Sequence, residues 1–380
     1  MGRVLACKPL YSWNGPEPAW EKHVDPCKWK GELSRYQHHA SEQIASYISK
    51  GNKDLLVWAV AGAGKTEMLF EGLSQALQQG KRICIATPRT DVVRELLPRL
   101  RRAFPNVTIE GLYGGSPDKE SRAQFIVATT HQLIRFNRAF DVIVIDEIDA
   151  FPFHMDQSLH FAAHRSAKEA AAKIYLTATP RAEHQKKVQA KTLDVVFVPQ
   201  RFHGYPLPVP SFRLCLTLRK ALATHHPPKA FFQWLDKREY PNRHVIIFVP
   251  TISLSEKLMQ SLRNMEILQT NNHTYTIDYA HSADAEREQK INNFRNGNIN
   301  MLITTTILER GVTFPSVDVA VLDAGHSVFD DAALIQIAGR AGRSHIDPTG
   351  EVVFFHDAKT DAMVRAVKSI EQMNRRRRKL

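Results

Sequence analysis

Hydrophobic and polar positions alternate along this chain on two length scales. Short runs rich in Val, Ile and Leu, namely LLVWAV (55–60), RICIA (82–86), FIVA (125–128), DVIVI (141–145) and KIYLT (173–177), are separated by longer stretches with apolar residues at helical spacing. Each run is almost continuously apolar, as a strand covered on both faces must be, so the pattern predicts parallel strands joined by helical crossovers. The alternation breaks at VPQRFHGYPLPVPSF (198–212), rich in proline and aromatic residues. It resumes with HVIIFV (244–249), TYTIDYA (274–280), NMLITTT (300–306), VDVAVLD (317–323) and EVVFF (351–355). The expected fold class is α/β, with two lobes that are each a mainly parallel sheet flanked by helices. The expected division is an N-terminal extension (1–30), a first lobe (31–200), a linker region (201–225) and a second lobe with a basic tail (226–380).

Composition supports this division, because 380 residues at 43% hydrophobic content suffice for two cores of ordinary size. Lys and Arg total 51 against 39 Asp and Glu, a net charge of +12, which points to a polyanionic partner. No apolar run is long enough to span a membrane and the N-terminus lacks the apolar core of a signal peptide, so the reading is cytoplasmic, with no intrinsic transmembrane segment. The four cysteines, at 7, 27, 84 and 215, form no CxxC pair. Cys84 and Cys215 lie in apolar runs and read as buried thiols. Cys7 and Cys27 would need further ligands such as His23 to hold zinc, and zinc is not expected. His160 and His164, one helical turn apart in SLHFAAH, read as part of a partly buried helix rather than as metal ligands.

Chemistry enters at AVAGAGKT (59–66), which directly follows the first strand-like run and precedes the helical pattern EMLFEGLSQALQQG. Strand, glycine-rich turn, Lys-Thr and helix in this order make a phosphate-binding loop, although Ala59 stands where the first glycine usually does. The run Ala61, Gly62, Ala63, Gly64 turns backbone N–H groups round a phosphate. Lys65 adds a mobile charge for the outer phosphates, and the Thr66 hydroxyl suits magnesium. Such a loop works with a carboxylate at the end of a neighbouring strand, and DVIVI runs straight into Asp146, Glu147 and Asp149. Asp146 is the expected magnesium carboxylate, since that ion needs few protein oxygens and keeps its waters. Glu147 beside it is the expected residue to orient or deprotonate an attacking water. ATP and Mg2+ are the expected cofactors.

In the second lobe QIAGRAGR (336–343) adds Gln336, Arg340 and Arg343 to the catalytic candidates. The spacing of the two arginines predicts neighbouring turns of one helix face, suited to phosphate oxygens across a cleft. Arg89, Thr129, Thr130, Thr251 and Thr305 stand at strand ends and suit contacts to phosphate and sugar that hold a nucleic-acid strand without reading its sequence. The tail from Arg375 to Lys379, five positive residues, reads as a solvated extension or as a tether for DNA or an anionic membrane face.

The motifs AGAGKT, TPRTDVV (87–93), VATTHQL (127–133), DEID, TATP (177–180), IIFVPT (246–251), TTTILERGVTF (304–314) and QIAGRAGR occur in the order of the superfamily 2 helicases and translocases. DEIDAFPF together with ILERGVTFP resembles more narrowly the ComFA family of late-competence DNA-uptake ATPases, and the PriA-type primosomal helicases are related. The resemblance implies two RecA-like lobes and a DNA-dependent ATPase that translocates single-stranded DNA during import in competent Gram-positive bacteria. It implies single-stranded DNA as partner, with other competence proteins including ComFC and the membrane uptake channel, at the cytoplasmic face of the membrane. By the same resemblance Gln37 in LSRYQ contacts the adenine, Thr177 and Thr179 couple the lobes, and Glu309 and Arg310 link the nucleotide to the nucleic-acid track. Two other readings stay open: a PriA-like replication-restart or repair helicase, and an ATP-gated DNA-binding scaffold without motor activity. The family carries a four-cysteine zinc module before the motor, whereas here only Cys7 and Cys27 precede it. MGRV resembles the sequence after that module's last CxxC, so a chain starting just past the module is expected.

Overall fold

The computed structural model describes residues 15–118, 120–263, 269–270, 273–309, 314 and 316–377. Seven strands build the first sheet: β1 (Asp54–Ala59), β2 (Ile83–Thr87), β3 (Ile109–Leu112), β4 (Phe125–Thr129), β5 (Phe140–Asp146), β6 (Ala167–Thr177) and β7 (Asp194–Val198). They lie in the order β3-β4-β2-β5-β6-β1-β7, every neighbouring pair parallel. Helices α1 (Arg35–Lys50), α2 (Phe70–Gln78), α3 (Thr90–Ala103), α4 (Gln157–Ser166) and α5 (Ala182–Gln189) accompany it. Every residue of β2 and β4 is buried, which is why these runs read as continuously apolar.

The second sheet takes β8 (Ser211–Leu214), β9 (His244–Phe248), β12 (Ile277–Ala280), β13 (Met301–Thr304), β14 (Val317–Leu322) and β15 (Val352–His356), while β10 (Gln269–Thr270) and β11 (His273–Thr274) form a separate antiparallel ribbon. Its order is β12-β13-β9-β14-β15-β8, again all parallel. Helices α6 (Leu218–Ala223), α7 (Lys229–Asp236), α8 (Ile252–Arg263), α9 (Arg287–Arg295), α10 (Asp331–Ala338) and α11 (Asp361–Arg377) accompany it. Two parallel sheets flanked by helices are the RecA-like pair expected.

The structure adds elements that periodicity did not reveal. β3 is a four-residue edge strand, IEGL, too short and too glycine-broken to read as a run. β6 begins at Ala167 with AKEAAA, a composition that favours helix; pairing with β5 at Ala167 and Ala172 overrides that preference, and β1 joins from Lys173. Within the stretch read as a linker, β8 pairs with β15 and α6 follows it.

Because all strands in each sheet point the same way, the loops leaving their C-terminal ends gather at one edge, where α/β sheets hold ligands. The two edges face each other closely. A Cβ placed on Gly339 would lie 2.6 Å from the Cβ of Ala61, so only glycine allows this approach.

Candidate functional site

The phosphate loop leaves β1 and turns through Gly62 and Gly64, both with positive φ (79° and 69°), before the helical turn that leads into α2. Ala59 needs no such freedom: it is the last residue of β1, paired with Val198 and fully buried, so alanine serves where glycine is usual. Lys65 Nζ lies 3.4 Å from Asp146 Oδ1, and Asp146 and Thr66 are both nearly buried. The next residue, Glu147, has φ of +53°, a left-handed backbone that side chains rarely adopt and that turns the chain sharply at the end of β5. Gln37, expected at the adenine, is committed at both ends: its Nε2 donates to Ala63 O at 2.9 Å and its Oε1 accepts from Ser34 N at 2.8 Å. It therefore joins the start of α1 to the phosphate loop.

Gln336, Arg340 and Arg343 meet this loop from the second lobe, with one correction to the sequence reading. Helix α10 ends at Ala338, so the arginines lie beyond it, in a turn through Gly339 and Gly342, rather than on one helix face. The reason is local: past Ala338 the chain tightens into three-residue turns, Arg340 N donating to Ile337 O at 3.0 Å and Ala341 N to Ala338 O at 3.3 Å, before Gly342 redirects it with φ of +63°. Arg340 is 1% exposed; its Nε donates to the Glu309 carbonyl at 3.1 Å, while Nη1 and Nη2 have no hydrogen-bond partner among the described residues. Burial, with Arg343 and Arg89 nearby, pushes its pKa well below the usual arginine range. A guanidinium held this way is unfavourable unless an anion reaches it.

Between the lobes these groups enclose a cavity of about 480 Å³, within the range of small-molecule sites. Ala61 through Thr66, Asp146, Glu147, Gln336, Arg340 and Arg343 all line it, joined by three aromatic residues that the sequence reading did not single out: Trp29, Phe202 and His203. Glycines with positive φ, a mobile lysine, a carboxylate beside a threonine hydroxyl and unsatisfied arginine N–H groups together suit a nucleotide triphosphate with its magnesium ion.

Thr177 and Thr179 point to a residue the sequence reading left without a role. Asp149 is 1% exposed and accepts from both hydroxyls, from Thr177 Oγ1 at 2.5 Å. The crossing to the second lobe is made by Arg181, whose Nη2 donates to Asp149 O at 3.2 Å and Nη1 to Asp330 Oδ2 at 2.7 Å. Asp330 also caps α10, accepting from Ala333 N at 2.8 Å. A path of polar contacts thus runs from β6 to the helix that precedes the arginines.

A second inter-lobe cleft, of about 710 Å³, is lined by Arg89, Arg94, Arg287, Arg295, Thr305 and Phe151, with Glu309 among its acids. Arg89 is paired with Asp91 and donates to Ile307 O at 3.3 Å, bridging the lobes. Of the two phenylalanines in DAFPF, Phe151 is 72% exposed in this cleft and Phe153 is buried. The other nucleic-acid candidates are not brought here: Thr129 is nearly buried, Thr130 fully so, and the exposed Thr251 accepts from Leu254 N in the first turn of α8. Arg310 and Cys7 lie outside the described residues. Cys84 and Cys215 are buried, and α4 is a partly buried helix, with Leu159, Ala162 and Ala163 buried and His160 and His164 on its exposed side. Among the described residues no cluster of His, Cys, Asp or Glu is arranged to hold a metal, and no helix is long and apolar enough to cross a membrane.

The basic tail is partly packed. Arg375, Arg376 and Arg377 belong to α11; the Arg376 guanidinium lies 3.9 Å from the centre of the Phe197 ring, and Arg377 donates to Gly204 O while its own carbonyl accepts from Tyr36 Oη. Arg378, Lys379 and Leu380 lie outside the described residues.

Fold and site define a helicase-type ATPase of superfamily 2. Residues 30–182 match the family described as type III restriction enzyme, res subunit, and residues 228–345 the helicase conserved C-terminal domain. The fold is also that of yeast Dbp5 bound to RNA and ADP BeF3, with a TM-score of 0.62 at 17% identity over 90% of this chain and 88% of that one. The chain is 44% identical to competence protein ComFA of Bacillus subtilis, over 98% of its own length and 79% of the relative's. It is 38% identical to ComFA of Streptococcus pneumoniae, over 99% and 84%. It belongs to the ComFA family of competence proteins.

Proposed function

We propose that this chain is an ATP-driven motor that moves along single-stranded DNA and draws it into competent cells. The observation that carries the reading is the inter-lobe cavity, where Lys65 and Asp146 of one lobe face Arg340 and Arg343 of the other, so that the site is complete only when both lobes engage. Lys65 and the loop N–H groups would hold the phosphates, Thr66 and Asp146 the magnesium ion, and Glu147 the attacking water. Arg340 and Arg343 would neutralise charge developing on the outer phosphate. The four arginines, Thr305 and exposed Phe151 of the second cleft fit a single strand gripped by its phosphates, with an aromatic face available to a base. Glu309 belongs to that cleft and holds Arg340 through its carbonyl, which gives the nucleotide and the strand a shared element.

The test is ATPase rate without nucleic acid and with single-stranded DNA, duplex DNA or RNA, followed by displacement measurements on a tethered strand. Stimulation by single-stranded DNA with ATP-dependent displacement is expected. Hydrolysis without displacement would leave an ATP-gated scaffold, and preference for duplex or RNA would overturn the substrate assignment.

A further inference from the structure

Residues 201–203 lie where the chain passes from the first sheet to the second, and they touch both halves of the phosphate site. Toward the first lobe, Phe202 N donates to Gly62 O at 2.9 Å, and the Arg201 side chain runs beside Gly62, where a Cβ would lie 3.8 Å from Arg201 Cγ. Toward the second, Arg201 Nη1 donates to Gly342 O, and His203 Nε2 lies 3.1 Å from the same oxygen. Gly342 stands between Arg340 and Arg343. Arg201 is 0% exposed and its Nε and Nη2 have no hydrogen-bond partner among the described residues. Burial, and then the neighbouring charge of Arg343, push its pKa down to about 9. An apolar side chain would fill this space with less desolvation, so packing alone does not account for a guanidinium here. Among the described residues its side chain hydrogen-bonds to the loop that carries the two arginines.

We infer that Arg201 is a positioning residue of the ATPase site, which ties the Arg340–Arg343 turn to the phosphate loop through the Gly342 carbonyl and so sets both arginines at the cavity. Arg201 does not itself line the cavity and acts only through that turn. His203 Nε2 reaches the same carbonyl. The inference rests on the reading of Arg340 and Arg343 as phosphate-contacting groups, and it adds to that reading a residue of the segment that joins the two sheets.

The test compares full-length Arg201→Met, Arg201→Lys and His203→Ala with wild type and with Arg343→Ala. It measures kcat and KM for ATP, affinity for a fluorescent non-hydrolysable ATP analogue, and melting temperature without nucleotide. Arg201→Met is expected to lose about 10- to 100-fold in kcat, the size of one charge-assisted hydrogen bond, with KM and analogue affinity within about threefold of wild type. Arg201→Lys should recover part of kcat, because an ammonium also donates to a single carbonyl. Melting of Arg201→Met should equal or exceed that of wild type, since a poorly satisfied buried charge is gone. Unchanged kcat overturns the inference, and so does a parallel loss of kcat and affinity, which would make Arg201 a direct nucleotide contact. Loss of melting temperature with no recovery by Lys would make it a structural residue only. Should Arg201→Met not fold, His203→Ala tests the same carbonyl, with a loss of kcat larger than any loss of analogue affinity expected, because His203 also lines the cavity, and unchanged kcat contradicting it. Full turnover by Arg343→Ala would instead refute the reading of the arginine turn, a result distinct from failure at Arg201.

Discussion

Asp330 serves two elements at once, and its replacement by Ala or Asn separates them. One carboxylate oxygen caps α10 through Ala333 N at 2.8 Å; the other takes Arg181 of the first lobe at 2.7 Å. Losing an N-cap to alanine costs about 0.5–2 kcal/mol, whereas asparagine keeps an oxygen for the cap. The ion pair is 30% and 43% exposed on its two sides. Solvent screening therefore limits the pair to about 0.2–1 kcal/mol. Asp330→Ala should be destabilised by about 1–2 kcal/mol, lowering the melting temperature by about 2–8 °C, and Asp330→Asn by half of that or less. If the pair transmits lobe closure, both variants should lose turnover by about two- to fivefold, the most that a screened pair of this strength supports. Thermal unfolding and steady-state ATPase on both variants, on Arg181→Ala and on the double variant Arg181→Ala/Asp330→Asn give the complete cycle. Equal destabilisation by Asn and Ala would remove the capping role. Turnover losses that simply multiply in the double variant would mean that Arg181 and Asp330 do not act through each other.

Three further outcomes are expected. Lys65→Ala should lose both nucleotide affinity and turnover, whereas Glu147→Gln should still bind ATP and turn over very slowly; normal turnover by Glu147→Gln in a steady-state assay would take that residue out of the reaction. Arg340→Met and Arg343→Met should each lower kcat by about a thousandfold, as arginine fingers do. Arg340→Met should lower the melting temperature of the nucleotide-free protein little, because relief of the buried charge, whose Nη groups have no hydrogen-bond partner among the described residues, offsets the lost Nε–Glu309 bond; a marked loss of stability would show that Arg340 is structural. Removing residues 378–380 should weaken binding of single-stranded DNA modestly and flatten its salt dependence, whereas removing 375–380 should also lower the melting temperature, since the Arg376–Phe197 and Arg377–Gly204 contacts go with it. Identical melting of the two truncations would place the whole tail in solvent.

Much of this site lies within short windows of the chain, and those windows are legible. AVAGAGKT carries its own glycines, lysine and preceding strand, and Asp146 and Glu147 follow directly on four apolar residues that no surface segment would keep together. The sequence by itself therefore determined two parallel-sheet lobes, a phosphate loop in the first, and an acid pair at the end of β5. What it left open concerns groups that meet only across long separations. Arg201 reaches Gly342 over 141 residues and Arg181 reaches Asp330 over 149, and no local period marks either pair. Burial likewise separates Phe151 from Phe153, two positions apart in the same turn, and pairing with β5 makes AKEAAA the start of a strand. A hydrogen bond or a buried face between distant segments comes into being only when both lobes are in place, so the phosphate-binding parts could be read from the chain, while the contacts that join them were decided by the tertiary structure.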